Sequence, residues 1–304
     1  MIVPRPGNVV VQRLKNEAQY FLLVVPALIL FSLFVAYPVF STIVHSFTNW
    51  SDVLLRGYKY VGLRNYERLF KDASTLTGIR VSFTYAICAT LLQSVVGLAL
   101  ALVLNSAIKG RNILRAIWYF PAVLSSLIIG YLFNFIFSTS DLGLLNQIII
   151  RYGLNKINFL GDPKNALACI IAVSVWQWAG WTMTIYLANL QGIPGELYES
   201  AGIDGAGPIQ QFLNVTVPML FPAVTYTFVT GMINGLKVFD IIYSLTSGGP
   251  NGQTESIVSL MMKRGFTEGF FGYTCAMGSV FLVMVLIITA FQMRFFNKWG
   301  EGIS

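Results

Sequence analysis

Gln191-Gly-Ile-Pro-Gly-Glu-Leu-Tyr-Glu-Ser-Ala-Gly-Ile-Asp-Gly-Ala-Gly-Pro-Ile-Gln-Gln-Phe-Leu-Asn-Val-Thr-Val-Pro218 is a polar, glycine-rich hinge between two long apolar runs. It contains no Lys or Arg, but has Glu196, Glu199 and Asp204. Pro194 suits the first turn of a helix, where a missing N–H costs nothing. Glu196 then lies near that helix's positive end. Leu197 and Ala201 are four apart and share a face. Gly205 supplies the stop, because glycine tolerates the left-handed turn that ends helices. Pro208 can open a second helix, with Ile209, Phe212 and Leu213 on its apolar side. The stretch predicts a helix–turn–helix at a membrane surface, presenting a small apolar face edged with acid to a groove on a partner.

The flanking runs make the membrane necessary. The 304 residues are 55% hydrophobic and 11% charged, against about 25% charged in soluble domains. Six apolar runs reach the roughly 20 residues that a bilayer core demands. They are Tyr20 to Phe47, Ser82 to Leu104, Leu114 to Phe137, Ala166 to Leu190, Val217 to Thr246 and Tyr273 to Phe296. Lipid offers no partner to exposed backbone groups, so the runs are read as helices. The first is longer than a signal h-region and lacks an A-x-A site, so it is expected to be retained. Prolines 26, 38, 121, 218 and 222 mark expected kinks. Gly231 and Gly235 form a GxxxG face that admits a close neighbour.

An even number of spans puts both termini on one side. With the termini inside, Arg5, Arg13, Lys15, Lys109, Arg111, Arg115, Arg294 and Lys298 are inside. Arg56, Lys59, Arg64, Arg68, Lys71, Arg80, Arg151, Lys156, Lys164, Lys263 and Arg264 are then outside. The larger basic group is the outer one, so the positive-inside rule weakly favours the reverse orientation. The net charge of +7 sits in short loops between apolar runs, which fits membrane anchoring rather than nucleic acid.

The hinge resembles the EAA loop of binding-protein-dependent ABC permeases. Glu199-Ser200-Ala201, three residues, Gly205, nine residues and then Val215-Thr216-Val217-Pro218 reproduce its spacing, with Ser200 and two valines as departures. Tyr60-Val-Gly-Leu-Arg-Asn-Tyr66 is similar to the family's first outer loop; Glu196-Leu-Tyr-Glu199, Ile203-Asp-Gly-Ala206 and Phe239-Asp-Ile-Ile-Tyr-Ser-Leu-Thr-Ser-Gly-Gly-Pro250 are similar to its carbohydrate branch, of the maltose-permease type without a large inserted outer domain. The resemblance implies an all-α membrane protein with the six-helix type I ABC importer permease fold. Residues 1–19 would be a cytoplasmic segment, 20–296 the transmembrane domain with a cytoplasmic loop at 191–218, and 297–304 a cytoplasmic tail. It implies coupling to an ATPase through Glu199, Ser200, Ala201, Asp204, Gly205 and Pro218. The implied partners are a second permease subunit in a heterodimer, two ABC ATPase subunits and an extracytoplasmic solute-binding protein. The implied setting is the bacterial inner membrane.

Candidate substrate contacts come from the fourth and fifth runs. Trp178 and Trp181 are three apart, with Gln177 and Ser174 beside them; aromatic faces and amides suit sugars. Asn234 joins them through the resemblance. Lys237 and Asp240, three apart, can pair on one helix face and are costly in mid-membrane unless they line a cavity. Basic outer loops and Lys237 would suit an acidic sugar, whereas neutral oligosaccharides are equally common in the family. The three cysteines, Cys88, Cys169 and Cys275, read as buried hydrophobes. His45, the single histidine, reads as a boundary residue. No Lys precedes Ser or Thr, so no Walker A loop exists; no cofactor is expected here, with ATP and Mg on the partner ATPase. The chain is not expected to be an enzyme. A secondary transporter or channel is the alternative, but no inverted repeat is visible and the hinge would have no purpose there.

Overall fold

The computed structural model describes residues 23–51, 57–140 and 143–300. The expected N-terminal segment, the start of the first run at Tyr20, Arg56 and the last four residues lie outside them. Four described helices are long and apolar enough to cross a membrane: α1 (Leu23–His45), α3 (Ala73–Asn105), α7 (Pro163–Gln191) and α13 (Phe271–Gly300). Between α1 and α3 lies the short α2 (Arg64–Lys71). Two bent pairs bring the number to six when each is counted as one span. α4 (Arg111–Val123) meets α5 (Ser126–Ile136) at 95°, and α9 (Pro208–Met219) meets α10 (Phe221–Leu236) at 59°. The remaining helices lie outside the spans or at their ends: α6 (Leu144–Arg151), α8 (Gly195–Ile203), α11 (Asp240–Thr246) and α12 (Ile257–Met262).

Two expectations about single helices are corrected. The third run is not one helix. Leu124 and Ser125 are extended, with ψ of 147° and 131°, three residues after Pro121. The fifth run is not one helix either: α10 ends at Leu236 and α11 begins at Asp240. Several boundaries also move outward. α3 has 33 residues, about 50 Å at 1.5 Å per residue, and so projects well beyond a hydrocarbon core of about 30 Å.

Two prolines show how a membrane helix absorbs a missing donor. A π-turn covers Ser32–Ala36 just before Pro38, and another covers Phe212–Thr216 just before Pro218. In each, the residue preceding proline donates one step further back, Tyr37 to the Ser32 carbonyl and Val217 to the Phe212 carbonyl. The wider turn makes room for the ring without leaving the helix.

The core is built by close helix contact. A Cβ on Gly235 of α10 would lie 2.7 Å from the Ala86 Cα of α3, and one on Gly231 would lie 2.8 Å from Thr90. The GxxxG face is therefore filled from within the chain by α3. Tyr186 of α7 joins the same three-helix seam, its hydroxyl bonded to Ser94 of α3 and to Thr227 of α10, the latter at 2.9 Å. Leu104, Leu190 and Leu220 cluster at the hinge end, and Ile129, Ile170 and Ile242 at the opposite end. α1 packs along α13 and none of its spanning window is buried within the chain.

A polar clamp closes the end far from the hinge. Asp72 caps α3, accepting from Ser74 N–H at 3.0 Å and from its hydroxyl at 2.6 Å. Its other oxygen accepts from Thr75 and Tyr273, and Arg264 stands 3.6 Å away. Arg264 also donates to Glu268 at 2.6 Å. Burial acts to raise the Asp72 carboxyl, but the hydrogen bonds from Ser74, Tyr273 and Thr75 together hold it below the ordinary 3.8. A depressed carboxylate contributes stability that is present above its unfolded pKa and is lost as pH falls through the folded one. Asp72→Asn is therefore expected to destabilise the purified protein by roughly 1–2 kcal/mol near neutral pH. That gap should persist down to 3.8 and close only below it. A melting series against pH checks this; a gap that closes above 3.8 overturns the assignment.

Candidate functional site

The hinge forms two helices, as its sequence predicts. α8 begins one residue later than expected, because Pro194 is its N-cap, extended at ψ 131°, rather than its first helical residue. Glu196 lies in the first turn. Gly205 takes φ +81° and ends the helix. Its N–H reaches the Gly202 carbonyl at 3.0 Å, and the Ala206 N–H reaches Ala201 at 2.9 Å, the paired bonds of a Schellman stop. Tyr198 bonds Thr216 at 2.8 Å, tying α8 to α9. Glu199, Ser200 and Asp204 stand exposed, Ala201 and Pro218 half-buried. Ile203 and Ile209 are 88% and 76% exposed, and Leu213 is exposed beside them. An apolar face edged with acid thus projects from one end of the bundle, and no described residue covers it.

The six candidate substrate contacts converge on one cleft. It holds about 550 Å³, and Gln177, Trp178, Trp181, Asn234, Lys237 and Asp240 all border it. α7 supplies the tryptophans. Its close fit to α4, where Gly180 meets the backbone of Trp118 and Tyr119, turns Trp178 and Trp181 to the cleft side. Both stay partly exposed, and Trp181 lies 6.2 Å from the Tyr119 ring. Trp176 instead packs against Phe133 at 5.4 Å. Ser174 does not line the cleft; it is buried and accepts a hydrogen bond from Tyr85 at 2.8 Å.

Gln177 has a different employment from the one its sequence suggests. It is 1% exposed, and its amide donates to the Leu124 carbonyl at 3.2 Å and to the Ser126 hydroxyl at 3.0 Å. It therefore satisfies the groups freed where the third span breaks. Its Oε1 has no partner.

Lys237 and Asp240 do not pair. Lys237 follows the last turn of α10 and Asp240 opens α11, with the non-helical Phe239 between them. The helical spacing that would have brought them together is absent. Both are exposed to the cleft.

Sequence reasoning missed Tyr226 and Thr230, which border the same cleft. With Asn234 they fall at i, i+4 and i+8, a polar stripe down one face of an otherwise apolar helix. That stripe was available as a signal. Gln93, a lone amide in the second run, borders the cleft as well.

With this geometry in view, the chain can be set beside known proteins. A model of the binding-protein-dependent transport system inner membrane component family matches residues 93–299. A Bacillus subtilis protein named probable ABC transporter permease protein YurN is 37% identical over 295 residues, covering 94% of this chain and 99% of its own. The trehalose/maltose transport system permease protein MalF of Thermococcus litoralis is 34% identical, covering 90% and 92%. The crystal structure of a bacterial alginate ABC transporter, in complex with an alginate pentasaccharide-bound periplasmic protein, contains a chain that superposes with a TM-score of 0.83 at 22% identity. The match covers 95% of this chain and 98% of that one, so the two share a fold.

Proposed function

The chain belongs to the family of binding-protein-dependent transport system inner membrane components, and from that membership we propose that it forms half of the translocation pathway of an ATP-driven sugar importer. The cleft between α7 and α10 carries this reading. Aromatic faces from Trp178 and Trp181 and the amide of Asn234 border the same cleft. Flat rings cover the C–H faces of a sugar, and amides exchange hydrogen bonds with its hydroxyls. The names of the relatives, among them the multiple sugar-binding transport system permease protein MsmF of Streptococcus mutans, 32% identical, support sugar as the cargo. Lys237 and Asp240 are the lysine and the carboxylate on the cleft wall; their charges offset one another, so this wall does not by itself select an acidic sugar.

The working assembly is this permease with a second permease subunit, two ABC ATPase subunits and an extracytoplasmic sugar-binding protein, in the bacterial inner membrane. The uncovered flank of α1 is available to lipid or the second permease. ATP and Mg belong to the ATPase subunits; this chain holds no cofactor and performs no catalysis. The exposed face of α8 and α9 docks on the ATPase at the cytoplasmic side, with Glu199 beside a basic group. Closure of the ATPase pair drags the hinge, and the helices rock the cleft from one side of the membrane to the other.

Proteoliposomes containing the full complex, supplied with the binding protein, radiolabelled neutral and uronic oligosaccharides and internal ATP, test the reading. Uptake of at least one sugar should require ATP. Trp181→Ala should lower that uptake roughly three- to tenfold through loss of one stacking face. Uptake unchanged by Trp181→Ala for every sugar carried would remove the tryptophan from the pathway.

A further inference from the structure

The fifth span is severed between Leu236 and Asp240, and the group that secures the severed end comes from outside the cleft. α10 stops with Lys237 N–H on the Ile233 carbonyl at 3.3 Å and Val238 N–H on Gly235 at 3.2 Å. Phe239, at φ −138° and ψ −58°, continues neither helix nor strand. A helix end leaves carbonyls without internal donors, and Val238 is buried. Its carbonyl accepts the Ser256 hydroxyl at 2.7 Å. Ser256 is fully buried, and its oxygen also accepts the Ser259 N–H at 3.1 Å, capping α12. The next residue, Ile257, donates its N–H to Ser82 of α3 at 2.9 Å.

We propose that Ser256 is a positioning residue: by holding the Val238 carbonyl it fixes the Lys237–Asp240 corner of the cleft, and so links the segment 247–262 at the far end of the bundle to the pathway wall. One hydroxyl has one proton and two lone pairs; here the proton goes to Val238 and a lone pair to Ser259. Without it, two buried backbone groups lose their partners at once. The corner is the segment free to shift in response. α10 is gripped by α3 at Gly231 and Gly235, and α11 is gripped by α5, whose Gly130 lies close against Ser244 and Leu245. Lys237 and Asp240 have no ion pair to one another that would hold them. Segment 247–262 and the cleft wall are therefore joined through this buried hydrogen bond. The bearing of this link on transport rests on the cleft being the pathway; its geometry does not.

The test uses the assembled transporter in proteoliposomes, with Cys88→Ala, Cys169→Ala and Cys275→Ala removing the native thiols. Asp240→Cys is then labelled with a methanethiosulfonate bearing an ethyltrimethylammonium group. Adding Ser256→Ala should change the labelling rate at the corner by about tenfold, the factor expected for one buried hydrogen bond. Ser256→Thr, which keeps the hydroxyl, should restore it. Tyr152→Cys, 80% exposed on the loop after α6 and outside both the corner and the proposed ATPase face, reports general loosening and should label at an unchanged rate. Should Ser256→Ala fail to assemble, Ser82→Ala probes the same seam and should shift the rate in the same direction. An unchanged rate at Asp240→Cys in either variant overturns the proposal. So does an equal change at Tyr152→Cys, which would make Ser256 a general structural residue. The labelling reads the corner whether or not sugar passes it, so a failure of the pathway reading would appear in the uptake assay instead.

Discussion

Glu199→Lys is expected to abolish ATP-driven uptake while leaving the permease folded and in the membrane. Glu199 stands exposed on α8, on a helix pair already closed by its own Schellman stop and by the Tyr198–Thr216 bond. An exposed side chain of this kind can be changed within about 0.5 kcal/mol of stability. The docked state is different. Under the proposed docking the carboxylate faces a basic group, and losing one member of such a pair costs roughly 2–5 kcal/mol; reversing its sign adds repulsion. Two kcal/mol already corresponds to about a thirtyfold loss of association. The checks are co-purification of the ATPase subunits, ATP hydrolysis and uptake measured on one preparation. Normal uptake by the lysine variant would sink the coupling role, and loss of the protein from the membrane would show that Glu199 serves the fold instead.

Gly180→Ala is expected to disturb the fold strongly. α7 and α4 touch so closely that a Cβ here would overlap the Trp118 carbonyl, lying 2.5 Å from its carbon and 2.8 Å from the Tyr119 Cα. These are backbone atoms and cannot swing aside as a side chain can, so the helices must part. Forced overpacking costs about 1–3 kcal/mol. The damage would spread, because the next turns of these helices carry Trp181, Gln177 and the Leu124 break that Gln177 satisfies. Melting temperature and cleft labelling should both shift. Gly195, at the start of α8, provides the contrast: nothing lies within 4 Å of its would-be Cβ, and Gly195→Ala should be neutral or slightly stabilising. Equal melting of the two variants would contradict the packing at Gly180.

The hinge was almost entirely legible in the sequence because its signals are local. Gly205 has to be where a left-handed turn ends the helix, and Pro208 where the next can open; only the exact role of Pro194 changed, from first helical residue to cap. The candidate cleft was legible in part. Trp178 and Trp181 were identifiable as aromatic groups in an apolar run, and Asn234 through the family resemblance. Gln177 was identifiable too, but not its use, because the carbonyl it satisfies belongs to Leu124, far away in the chain. The expected Lys237–Asp240 pair failed for a related reason: helical spacing was assumed through a stretch where the helix stops.

By itself, the sequence determined that the chain lives in lipid, which runs are apolar enough to cross it, and where its exposed acidic hinge falls. Apolar length and turn chemistry act within a few residues, and a hydrocarbon solvent leaves a continuous apolar run little choice but to coil. Only the tertiary structure decided where two of the crossings break and which side chains those breaks turn toward the cleft. A helix can be interrupted inside a membrane only if another part of the chain supplies the lost hydrogen bonds. Here Gln177 serves Leu124 and Ser256 serves Val238, and folding alone brings those partners together.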